Sequence, residues 1–157
     1  MASLLPVAAH GAEVATATAK PVIFNTSFEG ASLGRIEKLD DTEFRLHVKG
    51  QQDARGRNRQ ATWFYFRLDD VAGRELTLRF TDFIGEYNDQ PDVSPAGAWY
   101  RPVFSDDGEH WRHFAETGWD APKDEVTIVA RPRGNTLWIA HVAAVHAFAA
   151  AAPARRA

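Results

Sequence analysis

From residue 43 onward the chain offers only short apolar segments of period two, each closed by turn-forming residues. That pattern restricts it to β-architecture. In EFRLHV (43–48) Phe44, Leu46 and Val48 alternate with polar residues, and in ELTLRF (75–80) Leu76, Leu78 and Phe80 alternate with Thr77 and Arg79. Successive side chains on a strand point to opposite faces, so such alternation marks a strand buried on one side. ATWFYFRL (61–68) is denser, as in a central strand buried on both faces. YRPVFS, HWRHFA, EVTIVA and TLWIAHV follow, each short and rich in aromatic or β-branched residues. Turn signals separate them at 70–73, at 88–97, and in SDDGEH, GWDAPKD and RPRGN. A helical period is nearly absent; ASLGRIEKLDD (31–41) is the best helical candidate, weakened by Gly34. The expectation is an all-β fold, an antiparallel β-sandwich of jelly-roll type with about eight strands. Phe66, Leu68, Leu78, Phe80, Val103 and Ile139 are expected in its core.

A chain of 157 residues is long enough for one domain with a real core. Its net charge of −3 gives no global attraction to nucleic acid or to an anionic membrane, so such partners would need a local patch. With no cysteine, disulfides, thiolate metal sites and cysteine nucleophiles are excluded. The first twenty residues hint at an export signal and fail as one: no Lys or Arg precedes Lys20, and Pro6 breaks a short apolar run. A cytoplasmic location is expected, with export the alternative. Three segments are expected: a flexible leader (1–20), a β-sandwich (21–142) and a disordered Ala-rich tail (143–157). No stretch approaches the roughly 20 apolar residues of a membrane span.

Candidate catalytic motifs do not survive geometry. His10 to Glu13 and His113 to Glu116 have the His-x-x-Glu spacing of some zinc peptidases. The first lies in the leader and the second in a strand, where side chains three apart face opposite ways roughly 10 Å apart. The His110–His113 and His141–His146 pairs are equally poor. No metal site is expected. There is no Gly-x-Ser-x-Gly elbow, and the Asp69-Asp70 and Asp106-Asp107 pairs fall at turns, where solvated acids are ordinary. No catalytic residue is assigned.

The strongest local feature is the basic loop before the aromatic run. Arg55, Arg57 and Arg59 alternate, so in an extended conformation their guanidinium groups face one way and could clamp a carboxylate or phosphate. The same row could equally be a solvated loop protecting a sheet edge. Base stacking on Trp63, Phe64 and Tyr65 would need these rings exposed, whereas their company marks them as core or interface. Nucleic acid is not expected as a partner.

In order along the chain, GRNRQATWFYFRL, GEYN, YRPVFSDDGEHWRHF and TLWIAHV resemble the N-terminal β-sandwich domain of zinc carboxypeptidases of the cytosolic-carboxypeptidase type. The upstream FNTSFEGASLGRIEKLDDTEFRLHVKGQQD resembles the family's opening, so the likeness spans about residues 23 to 142. Arg57, Asn58, Arg59, Gln60 and Trp63 match its loop-to-strand motif. Tyr87, Asn88, Arg101, Pro102 and Ser105 match the next two. The resemblance implies a sandwich that packs on a larger peptidase domain and helps to rim its active-site funnel. It also implies zinc in that other domain and none here. The segment HVAAVHAFAAAAPARRA carries no peptidase motif, so an isolated accessory domain is expected, with its catalytic partner in cis in relatives or in trans. Arg55, Arg57, Asn58, Arg59, Gln60, Trp63, Tyr87, Asn88, Arg101 and Ser105 are then interface or substrate-rim residues, with acidic peptide a possible ligand.

A second function class remains open. β-Sandwiches with SDDGEHW-like turns also occur as carbohydrate-binding modules. That reading requires Trp99, Trp111 or Trp119 to stand flat at a loop edge.

Overall fold

A computed structural model describes residues 20–144, so residues 1–19 and 145–157 of the expected leader and tail lie outside it. The described chain contains twelve strands and one 3₁₀ turn. In order these are β1 (Ile23–Asn25), β2 (Ile36–Lys38), β3 (Glu43–His47), β4 (Tyr65–Asp69), β5 (Leu76–Thr81), β6 (Glu86–Tyr87), β7 (Gln90–Pro91), β8 (Val103–Ser105), β9 (Arg112–His113), β10 (Thr117–Asp120), the 3₁₀ turn (Ala121–Lys123), β11 (Glu125–Ala130) and β12 (Thr136–Ala140). They form two five-stranded sheets, β1-β4-β12-β8-β9 and β10-β11-β5-β3-β2, with β6 and β7 a separate hairpin. The all-β sandwich expected from the alternation is the fold observed. The strands missing from the count of eight are two to four residues long, too short to show a period.

Each sheet contributes one face to the core. Phe66 and Leu68 of β4 stand opposite Ile139 and Leu137 of β12, and Leu78 and Phe80 of β5 opposite Ile128 and Val126 of β11. All eight are buried, as is Val103. Across the interior Phe64 stacks on Phe80 with ring centroids 4.6 Å apart, and Phe24 meets Phe44 edge-on at 5.0 Å. The run at 61–68 begins its strand only at Tyr65, yet both its faces are covered. Phe66 and Leu68 enter the main core, while Tyr65 turns outward against Val103 and Ala140, with Phe28, Trp63, Trp111 and Trp138 around them.

Two expectations need correction. The pairing of β3 with β5 is parallel, Phe44 beside Leu78 and Leu46 beside Phe80. After β3 the chain crosses to the other sheet for β4 and returns for β5, which therefore runs the same way as β3. Alternation is identical in either direction, so it carries no sign of this. The segment 31–41 is not helical. Gly34 lies against β3, donating its N–H to His47 O at 2.9 Å, and a Cβ there would come within 2.4 Å of that oxygen. Asp40 then closes the β2–β3 hairpin, its carboxylate accepting the Thr42 and Glu43 amides at 2.6 Å each.

The outer face of the β3-containing sheet is a lattice of charge. Glu125 is 2% exposed and accepts from Arg45 Nε and Arg79 Nη1, each at 3.2 Å. Arg45 also reaches Glu37 at 3.2 Å, and Arg79 is hydrogen-bonded to Glu43. One buried carboxylate thus ties β11 to β5 and β3, and through them to β2.

Candidate docking surface

The strand registers bring the ends of β3, β5 and β12 and the starts of β4 and β8 to one end of the sandwich. Ala140 stands beside both Tyr65 and Val103, and His47 beside Thr81. The connections 48–64 and 82–102 and residues 141–144 therefore share one pole. This pole holds nearly all the residues singled out in the sequence.

The basic loop does not run extended. Asp53 turns it back: its carboxylate accepts the Arg55 amide at 2.8 Å, the Arg57 amide at 2.9 Å and Asn58 Nδ2 at 3.0 Å. These bonds hold the Asp53 carboxyl below its ordinary range, the Arg57 amide having the largest effect. Gly56 and Asn58 adopt left-handed φ of 74° and 56°. The three arginines consequently form no row. Arg55 and Arg57 face solvent, Arg57 with a loose contact to Asp89 at 3.8 Å. Arg59 turns inward. Its Nε donates to Lys49 O at 3.0 Å, Nη1 to Ile84 O at 2.7 Å, and Nη2 to Asp82 O at 2.8 Å and to Val48 O.

Asn58 makes the second link. Its Oδ1 accepts the Asn88 amide at 2.9 Å, in the left-handed turn that joins β6 to β7. Gln60 pairs with Gln51 through both backbone groups, closing the base of the basic loop. Tyr87 projects from β6 at 65% exposure. Arg57, Asn58, Arg59, Gln60, Tyr87 and Asn88 thus belong to one welded unit. Arg101 lies at the same pole, its Nη1 donating to the carbonyls of Ala98 and Tyr100 and to Thr117 Oγ1. Trp63 is half-buried, its indole N–H donating to Gly30 O at 3.0 Å. Ser105 stands apart at the far end of β8. Buried, its Oγ donates to Asp107 Oδ1 at 2.8 Å and accepts the Gly108 amide at 2.9 Å, which shapes the 105–110 turn.

Sequence reasoning missed most of the apolar part of this pole, having named Tyr87 and, for the carbohydrate reading alone, Trp99. Ile84, Val93, Trp99 and Val142 are exposed here beside Tyr87, with Val93 at 83% and Trp99 at 71%. The available signal was large apolar residues scattered through 82–99, a segment otherwise rich in turn-forming Asp, Asn, Pro, Ser and Gly. Of the three tryptophans the carbohydrate reading requires, Trp99 is exposed, whereas Trp111 and Trp119 pack against the core clusters. Phe64 and Tyr65 are buried and Trp63 rests on Tyr65, which leaves no stacked platform for bases. Among the described residues no group of three or more His, Asp or Glu could hold a metal ion, and no helix is long and apolar enough to cross a membrane.

Beneath the pole Tyr100 and His141 lie ring on ring with centroids 5.5 Å apart, the Tyr100 hydroxyl and His141 Nδ1 sharing a hydrogen bond. Burial pushes the Tyr100 hydroxyl well above and the His141 imidazole below their ordinary values. A histidine held neutral by the fold contributes stability that is complete above its unfolded value of about 6.5 and is lost as pH falls from there through its lowered folded value. The melting temperature of the parent should therefore fall from pH 7.5 to 5.5 more steeply than that of His141→Gln. Parallel curves would show that His141 titrates alike in both states.

This is a β-sandwich with one pole of ordered loops bearing exposed apolar and cationic side chains, and comparison with known proteins places it. Residues 24–142 match the family described as the cytosolic carboxypeptidase N-terminal domain, and the chain belongs to that family. Among solved structures it is similar to a metallo-carboxypeptidase from Burkholderia cenocepacia, with 21% identity and a TM-score of 0.59 over 76% of this chain and 28% of that one. It is likewise similar to a metallo-carboxypeptidase from Pseudomonas aeruginosa in complex with (2-guanidinoethylmercapto)succinic acid, with 20% identity and a TM-score of 0.57 over 75% and 28%. The chain thus spans little more than a quarter of those relatives' length, and the likeness is one of fold. A comparison with curated proteins gave no significant match.

Proposed function

We propose that this domain is a non-catalytic accessory part of a zinc metallocarboxypeptidase, docking through its loop pole on a peptidase domain and helping to shape the funnel by which substrate enters. The observation that carries the reading is a coincidence of place. The family-motif residues Arg57, Asn58, Arg59, Gln60, Tyr87, Asn88 and Arg101 share a pole with four more exposed large apolar side chains, Ile84, Val93, Trp99 and Val142. Apolar anchors inside a rim of arginines are the composition of a protein interface. Zinc and the catalytic groups belong, on this reading, to the peptidase domain and not to the sandwich. The exposed Arg55 and Arg57 suit an acidic peptide at the funnel mouth, and the family's description suits the cytoplasm.

Titration calorimetry of the domain with the peptidase domain of a longer relative tests the reading. Saturable 1:1 binding is expected, with no peptide cleavage by this chain alone. Trp99 keeps the carbohydrate-binding reading alive, so an oligosaccharide panel forms the second arm. Sugar binding without peptidase binding would reverse the order of the two.

A further inference from the structure

We propose that Arg59 is the positioning residue of this pole: by spending its guanidinium on backbone carbonyls of two separate segments, it presets the docking surface in the free domain. The inference rests on the functional reading above for what the surface docks, but not for whether the surface is preset.

The segments Arg59 joins are far apart in sequence. Val48 and Lys49 leave β3, whereas Asp82 and Ile84 leave β5 and lead into the exposed run that carries Tyr87 and Trp99. Four carbonyls converge on one side chain, which requires several donors in a fixed planar array. Guanidinium supplies five N–H groups in such an array, while an ammonium supplies three from a single nitrogen, one too few for the four carbonyls and without the fork that spreads them over three nitrogens. The backbone repeats the link from the other side, for the Glu86 amide donates to Arg59 O at 2.8 Å. Space is closed to match. A Cβ on Gly85 would lie 2.5 Å from Arg59 O, and one on Gly50 would lie 2.7 Å from Gln60 O and 3.1 Å from Arg59 Cγ. No other described arginine donates to carbonyls of both segments. Every hydrogen bond of the Arg59 side chain goes to a backbone carbonyl, that of Ile84 included, so it acts through the backbone that displays Ile84 and Tyr87. A preset surface loses less loop freedom on binding, so its contribution appears as affinity.

Hydrogen exchange read by mass spectrometry on the full chain, well below its melting temperature, tests this with Arg59→Gln and Arg59→Lys. Both variants are expected to exchange at least about tenfold faster over 48–60 and 82–92, with β5, β11 and β12 still protected, because opening is then local to the two segments. Lysine should not rescue. Parental exchange over 82–92 in Arg59→Gln, parental exchange in Arg59→Lys, or uniform acceleration through the core strands would each overturn the proposal. With the peptidase domain of a longer relative, Arg59→Lys should bind at least about tenfold more weakly than the parent, about 1.4 kcal/mol; equal binding by loosened loops would also overturn it. If the parent itself does not bind, the functional reading falls, and the exchange pattern still decides whether Arg59 presets the surface.

Discussion

Phe80→Ala is expected to lower the unfolding free energy by about 3 to 5 kcal/mol, the range for removing a fully buried aromatic side chain from a packed core. Phe80 has no exposed surface and lies where the two sheets meet. Its ring stacks on Phe64 at 4.6 Å and stands 6.2 Å from Phe66, both residues of the other sheet's side of the core. Its neighbours are strand residues fixed by ladders on both sides, Leu46 of β3 and Val126 of β11, so the void cannot easily collapse. Domains of this size are stable by about 5 to 15 kcal/mol in all, so one substitution removes a large share. Chemical denaturation of parent and variant measures it. A loss below about 1 kcal/mol would show that the sheets repack freely and that the core is looser than its burial implies.

Glu125→Ala is expected to cost about 2 kcal/mol. Breaking a buried ion pair costs about 3 to 5 kcal/mol because the partner is left uncompensated. Here both partners are about one-third exposed, Arg45 at 35% and Arg79 at 33%, so water screens part of that loss. Glu37 and Glu43 remain to accept from them. Cooperativity should accompany the effect, since the carboxylate joins three strands, two of them the parallel pair β3 and β5. Thermal unfolding of Glu125→Ala and Glu125→Gln separates charge from packing: Gln keeps the shape and should still lose most of the stability. If Gln behaves as the parent, the lattice is held by hydrogen bonding alone.

The strands were legible in proportion to their length. β3, β5, β11 and β12 have five or six residues each, enough for alternation to show. β6 and β7, which went unread, have two residues each, and two residues have no period. β3 was read as a strand but β2 was not, because three residues show no period; Gly34, which weakened the helical candidate at 31–41, is a contact point for the β3 backbone. Of the docking surface, residue types were legible and directions were not. Alternation of Arg55, Arg57 and Arg59 suggested a row only for an extended chain, and the left-handed turns at Gly56 and Asn58 dissolve it. Arg59 read as one more surface cation because its partners are backbone carbonyls, which any sequence supplies. Ser105 matched a family motif and turned out to shape a turn on β8, away from the pole. Ile84, Val93 and Val142 escaped because they show no shared period, and only the fold brings Val142 to the same end as Trp99.

The central claim is that this pole docks a peptidase domain, and the affinity of pole variants for such a domain, measured by titration calorimetry, tests it most directly. Trp99→Asp and Tyr87→Asp should each weaken binding by at least about 30-fold, the loss of a buried anchor worth about 2 kcal/mol. Both side chains are largely exposed in the free domain, so neither change should shift its melting temperature appreciably. Arg133→Glu, in the turn between β11 and β12 at the opposite end, should bind as the parent does. Parental affinity in both pole variants, or a loss confined to Arg133→Glu, would contradict the account.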